Sequence, residues 1–285
     1  MGFFSLVTMT IMTITNAINT YNLNTLTNNV WLSGAAYCGK ENYNLMKLSP
    51  PVSDFVYMET LYDIKTDLQG YIGLHPSQKT INVVLRGSSS FMNWLDDIEI
   101  RLVPYDTFPE CDCKVHNGFY RSALGVRNKT VETVKLLYKV YPYYKIIVTG
   151  HSYGASVGQL LAMELQRENI DVQIYNYGQP RVGDEKYATF VNKNIEVYWR
   201  TVHDRDMVPH MPPSMFNYVH SCIEIFEDSK GVLNVCNSTN CEDPLCSNQY
   251  NLMETNTNDH LYYLGHRVAC EESVSNYDSL HPVRI

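Results

Sequence analysis

Positive charge is scarce in this 285-residue chain: Lys and Arg total 22 against 30 Asp and Glu, a formal net charge of −8. No Lys/Arg cluster breaks that balance, and a protein that tracks phosphates needs a basic face, so nucleic acid is excluded as a partner. Charge of either sign is sparse at 18%, while hydrophobic residues make up 45%. That composition excludes disorder and supplies a sizeable core. Internal repeats and charged low-complexity tracts are missing as well. So are long apolar runs: Phe3 to Ile14 falls well short of the ~20 residues that span a bilayer, and no other stretch comes closer. No transmembrane segment is expected.

The Phe3–Ile14 run has the length of a signal-peptide core, although no Lys or Arg precedes it. Thr15 and Ala17 put small residues at the −3 and −1 positions, so the reading is a signal peptide over 1–17 followed by a single domain over 18–285. A buried N-terminal helix is the competing reading. Eight cysteines form an even set, and two N-x-[ST] sequons start at Asn128 and Asn237. Together with the apolar N-terminus they point to a secreted, disulfide-bonded, glycosylated chain rather than a cytosolic one with free thiols. A zinc site on Cys222, Cys236, Cys241 and Cys246 is disfavoured by x₄ spacings and by the lack of a paired C-x₂-C.

Along the chain, apolar runs alternate with helical periodicity, which predicts a mostly parallel sheet covered on both faces. Residues 80–85, 145–149, 171–177 and 196–202 read as strands, each ending in a turn or a polar loop. Val131, Val134, Leu136, Leu137 and Val140 predict a helix capped by Thr130. Residues 228–259 read as a long surface loop stapled by disulfides.

The strand at 145–149 runs into Gly150-His151-Ser152-Tyr153-Gly154, a match to G-x-S-x-G. About 0.05 such matches are expected by chance in this composition, so the context decides. Ala155, Val157, Leu160, Leu161, Met163 and Leu165 continue as a buried helix, completing the strand–turn–helix that exposes a serine hydroxyl above a sheet edge. The glycines lack a Cβ, which lets so sharp a turn close. A serine at neutral pH needs an imidazole base held by a carboxylate. The acids after a later strand are Asp204 and Asp206, and the later histidines are His203, His210, His220, His260, His266 and His281. Spacing alone does not choose among them.

Several further motifs resemble, in order, those of the fungal-type (class 3) lipases and the related fungal feruloyl esterases, from about Ala35 to Cys270. Arg86-Gly87-Ser88-Ser89-Ser90 with Asn93-Trp94 looks like the family's oxyanion loop and lid. Val115-His116-Asn117-Gly118-Phe119 and Tyr177-Gly178-Gln179-Pro180-Arg181-Val182-Gly183 are similar to two family turns. Asp206-Met207-Val208-Pro209-His210 is similar to the acid segment, and His260-Leu261-Tyr262-Tyr263-Leu264-Gly265 to the histidine segment. The resemblance implies an α/β-hydrolase fold with a short lid helix, and an ester hydrolase with Ser152 as nucleophile, His260 as base and Asp206 as its orienting acid. It further implies an oxyanion hole at Ser88 and Tyr153 and a Cys38–Cys270 disulfide. A short-range bridge at Cys111 and Cys113 is implied too, with a Cα separation near the allowed limit. Pairing of the other four cysteines stays open.

Phe91, Trp94, Leu95 and Ile98 share one face of a helix, with Asp96-Asp97 opposite, as a lid that turns toward lipid needs. Tyr105 to His116, with its two close cysteines, leans toward the feruloyl esterases. The lid outweighs it, so the expected activity is triacylglycerol lipase, with a lipid ester at a lipid–water interface as partner. Feruloyl or short-chain esterase, phospholipase A1 and a non-catalytic binding protein of the same fold are the alternatives. No metal or organic cofactor is expected, because such a triad supplies its own nucleophile, base and acid.

Overall fold

The computed structural model describes residues 21–87, 99–237, 239 and 241–280. Helix α1 (Leu23–Ala35) comes first, its N-terminus capped by the Asn22 side chain on Thr25 N at 3.0 Å. Strands β1 (Val56–Asp63), β2 (Leu68–His75) and β3 (Thr80–Leu85) follow as an antiparallel meander. The short strands β4 (Leu102–Pro104) and β5 (Lys114–His116) pair with each other and lead into α2 (Asn117–Val140). Four more elements alternate as β6 (Lys145–His151), α3 (Tyr153–Arg167), β7 (Val172–Tyr177) and α4 (Glu185–Asn194). Strands β8 (Val197–His203), β9 (Glu224–Glu227) and β10 (Leu233–Val235) complete an eight-stranded sheet in the order β1-β2-β3-β6-β7-β8-β9-β10.

The run from β3 to β9 is parallel, as buried apolar strands joined by helices dictate. Alternation along β6 sets the two layers. Ile146 and Val148 face the side where Phe119, Val126 and Val134 of α2 and Val157, Leu160 and Leu161 of α3 pack. Ile147 faces the other side, with Tyr175, Trp199 and Leu26 of α1.

Four sequence expectations are corrected. Thr130 caps nothing: α2 begins thirteen residues earlier, where the His116 side chain accepts Phe119 N–H at 3.2 Å, and Thr130 Oγ1 bonds back to Val126 O. Leu136 and Val140 lie on the solvent side of α2, each 67% exposed. Strict alternation of strand and helix fails before β3, because β1 and β2 are joined by tight turns with no helix between them. Residues 228–259 are not all loop, since β10 adds an edge strand to β9.

Among the described residues all eight cysteines are bridged, as Cys38–Cys270, Cys111–Cys113, Cys222–Cys241 and Cys236–Cys246. The Cα atoms of Cys111 and Cys113 stand 5.2 Å apart, mid-range rather than near the limit, because Asp112 between them is left-handed at φ 46°. With every thiol oxidised, no thiolate set is left for zinc.

Candidate active site

Strand β6 ends at His151, α3 begins at Tyr153, and Ser152 is the hinge between them at φ 58°, ψ −133°. A serine with positive φ stores strain of order 1–3 kcal/mol and persists only when its surroundings enforce it. Here Ser152 N–H donates to Tyr177 O at 3.0 Å, pinning the turn to the end of β7. The glycines allow the closeness. A Cβ on Gly154 would stand 2.5 Å from Leu85 O and 2.4 Å from Arg86 O, and one on Gly150 would stand 2.7 Å from Gly154 C. The elbow is thus pressed against the end of β3. Gly87, next along, lies so near Ser152 that its own Cβ would be 2.9 Å from the serine's.

The acid comes from the loop after β8. Asp206 is fully buried; its Oδ1 accepts Val208 N–H at 2.9 Å and its Oδ2 accepts His260 Nδ1–H at 2.9 Å. Tyr263 O–H donates to the same Oδ2. Burial, then the Asp206 charge, holds the Tyr263 phenol well above its usual range, so it stays a donor. Three donors satisfy the buried carboxyl group. Asp204 sits elsewhere, left-handed at φ 36° and accepting Tyr250 O–H at 3.1 Å.

His260 packs against Gly178, where a Cβ would come within 2.7 Å of His260 Cε1; the φ of +55° there also favours glycine. Tyr177 O, one residue back, holds Ser152 N–H, so serine and imidazole converge on one turn. Asp206 takes Nδ1, which leaves Nε2 as the ring nitrogen for proton exchange with a neighbour.

Two side chains that sequence reasoning passed over fix the base from behind. His151 Nε2–H donates to His260 O at 2.8 Å, and Tyr37 O–H donates to His151 Nδ1 at 2.6 Å. Burial pushes His151 well below the usual imidazole range, so it is neutral and carries one N–H, as this chain of bonds requires. The only sequence signal was position: His151 lies inside the elbow motif, Tyr37 beside Cys38 and Tyr263 three residues after His260.

Tyr153 opens α3, at the positive end of that helix. Its ring is anchored on α2 through Ser122 Oγ and edge-to-face on Phe119 at 5.2 Å. Ser88 and the lid residues Phe91, Trp94 and Leu95 lie outside the described residues, as does the 1–17 segment. Three other histidines serve the scaffold. His266 stacks on Trp31 at 4.0 Å with Nε2 on Ser273 Oγ, His203 Nδ1–H reaches Asp259 O, and His220 Nε2–H reaches Pro209 O. Asn128 is exposed on α2 and Asn237 in a turn closed by Thr239.

The chain has known relatives. Residues 82–216 match the family described as Lipase (class 3). The lipase of Rhizomucor miehei is 39% identical over 219 residues, 74% of this chain and 59% of that protein. A secreted mono- and diacylglycerol lipase of Fusarium solani is 32% identical over 164 residues, 58% of this chain and 49% of that protein. The chain therefore spans about half to three-fifths of these two relatives' lengths. The solved Rhizomucor miehei lipase propeptide complex superposes with a TM-score of 0.80 at 35% identity, covering 86% of this chain and 81% of that one. On these likenesses the chain belongs to the class 3 lipase family, on an α/β-hydrolase fold.

Proposed function

We propose that the protein is a serine ester hydrolase acting on acylglycerols at a lipid–water interface. The observation that carries this reading is the strained Ser152 held at the Tyr177–Gly178 turn against which the buried His260–Asp206 pair also packs. Ser152 Oγ attacks the ester carbonyl carbon while His260 Nε2 takes its proton and passes it to the leaving alcohol. Water then hydrolyses the acyl-enzyme by the same route. Asp206 keeps the proton on Nδ1 and stabilises the imidazolium. The oxyanion is held by the N–H groups of Tyr153 and Ser88, the first supported by its place at a helix N-terminus.

The lid reading of residues 91–98 rests on the sequence pattern and sets the interface requirement. Secretion is proposed on three grounds: four disulfides, the 1–17 leader pattern and a relative named as secreted. Among the described residues no helix is long and apolar enough to cross a membrane. The exposed Asn128 and Asn237 are open to N-linked glycan.

The test is hydrolysis of glycerol esters from C2 to C18 and of methyl ferulate, below and above solubility, by the protein and its Ser152→Ala variant. A rate on long chains that climbs past the solubility limit and falls roughly 10⁶-fold in the variant is expected. A preference for methyl ferulate with no such climb would move the substrate to aryl esters. Activity untouched by Ser152→Ala would remove the triad.

A further inference from the structure

Strand β9 reads Glu224-Ile225-Phe226-Glu227 and buries a carboxyl group at each end. The two are treated differently. Glu224 is well matched, since it accepts from the Arg200 guanidinium and from Ser247 N–H and O–H, each at 2.9 Å. Glu227 is 4% exposed and makes no ion pair among the described residues; its carboxyl takes one hydrogen bond there, from Leu264 N–H at 2.8 Å. Burying a carboxyl group with so little compensation costs free energy that an apolar side chain would not. Burial accordingly raises it above the usual carboxylate range. What Glu227 does must therefore be sought in the contact it makes.

That contact falls on the turn of a hairpin. The short strands β11 (Tyr262–Tyr263) and β12 (His266–Arg267) pair with Tyr263 opposite His266. Only Leu264 and Gly265 join them, at φ 54° and 71°. Two positive φ values give the tight turn that suits paired strands, which glycine adopts freely and leucine does not. The Glu227 bond therefore holds the strained residue of the pair in place. Directly before the turn comes Tyr263, fully buried, edge-on to His151 at 5.7 Å and to Tyr177 at 5.8 Å. Its O–H, which donates to Asp206 Oδ2, sits at the far end of a rigid ring, so a small tilt of the hairpin swings it off the carboxyl group.

Glu227 meets the acid side as well. In the β8–β9 register it stands opposite His203, and its carbonyl accepts Asp204 N–H at 2.7 Å. Asp204 is the left-handed residue, at φ 36°, that turns the chain toward Asp206. One residue at the end of β9 thus grips both segments that meet at Asp206 Oδ2: the acid turn through its backbone, the tyrosine hairpin through its side chain. His260 has separate holds, its carbonyl on His151 Nε2–H at 2.8 Å and its Nδ1–H on Asp206 at 2.9 Å. We infer that Glu227 is a positioning residue for ester hydrolysis, acting on Asp206 through the Tyr263 phenol. The inference rests on the triad reading given above.

The test measures kcat and KM on a soluble ester for Glu227 variants of the full chain, alone and combined with Tyr263→Phe. Glu227→Met fills the same space without a strong acceptor, and Glu227→Asp retracts the carboxyl group by one methylene. Glu227→Gln keeps an oxygen for Leu264 N–H. The first two should lower kcat by roughly three- to fivefold with KM within about twofold, and Glu227→Gln should keep at least about half of the parental kcat. Where Tyr263→Phe has already removed the phenol, Glu227→Met and Glu227→Asp should lower kcat less than about twofold further. If Glu227→Met does not fold, Glu227→Asp carries the comparison. Three results would overturn the proposal: kcat unchanged by the first two variants, a loss equally large in the Tyr263→Phe background, or Glu227→Gln as slow as Glu227→Met. Ser152→Ala is assayed alongside. Activity that survives it would remove the triad itself, whereas unchanged Glu227 variants beside an inactive Ser152→Ala would remove this proposal alone.

Discussion

The Asp206 carboxylate is where residue-level chemistry is most concentrated. It is fully buried and takes hydrogen bonds from Val208 N–H, His260 Nδ1–H and the Tyr263 phenol. The three donors do different work, and substitution separates them. Asp206→Asn keeps shape but forces the wrong imidazole tautomer, and kcat on a soluble ester should drop by roughly 10⁴. Tyr263→Phe removes a bond to a charged group while two donors remain. It should cost about 1.5–3 kcal/mol of stability and change kcat less than tenfold. Urea midpoints and steady-state rates on both variants check this; a Tyr263→Phe enzyme as inactive as Asp206→Asn would put the phenol in the proton path instead. Why sequence reasoning left Asp204 and Asp206 open is plain from the geometry. They are two residues apart after the same strand, and only the left-handed turn at Asp204 sends the two carboxylates to different partners.

At the scale of elements, the elbow works because β6, α3 and the end of β3 are pressed together with no side chain between them. Two glycines on α3 test that idea by contrast. A Cβ on Gly154 would meet backbone, Leu85 O at 2.5 Å and Arg86 O at 2.4 Å, and backbone in a central sheet does not yield. One on Gly158 would meet side-chain atoms, Val148 Cγ1 at 3.2 Å and Leu85 Cδ1 at 3.5 Å, which shift by tenths of an ångström. Gly154→Ala should therefore push β3 and the Gly87 turn off Ser152, lowering kcat by 100-fold or more and destabilising by about 2–3 kcal/mol. Gly158→Ala should stay within about 1 kcal/mol of the parent, the helix propensity of alanine offsetting the tight contact, and remain active. Rates and thermal midpoints on the pair decide it; equal damage from both would mean that helix packing, not the elbow, is what the glycines protect.

The parallel half of the fold was legible in the sequence because apolar strands ending at turns alternate there with helical periodicity. The β1–β2 meander was not. Strand β1 shows intermediate and exposed positions with a bulge between Tyr57 and Glu59, so neither a period of two nor a continuous apolar run survives. The start of α2 was hidden for a similar reason: its cap is a histidine, outside the usual set of capping residues. In the site, the elbow could be read from spacing and the acid and base only from resemblance. Tyr37 and His151 act through folded geometry across more than a hundred residues of chain, which no local pattern encodes.

For the whole molecule, the Cys38–Cys270 bridge ties the end of α1 to the C-terminal segment across a sequence separation of 232, a closure worth roughly 5 kcal/mol on chain entropy. That long-range clamp leaves the response to acid to buried groups. Burial lowers His116 and His266 to about 4, and it lowers His75, His151, His210 and His220 as well. Each is neutral in the native state, whereas an unfolded histidine protonates near 6.5. Between those values the unfolded chain holds protons that the native one excludes, so stability is full above about pH 6.5 and falls as pH drops toward 4. Each fully buried histidine steepens the slope by up to about 1.4 kcal/mol per pH unit. Glu227, raised by its own burial, works in the opposite sense, but it is one group against six. The urea midpoint should be flat from pH 7 to 8 and fall steeply from 6.5 to 5. His266→Gln, which keeps a polar partner for Ser273 and cannot titrate, should fall less steeply over the same range. A midpoint that holds or rises on acidification would mean that these imidazoles gain protons in place, each with an acceptor the native packing can offer it.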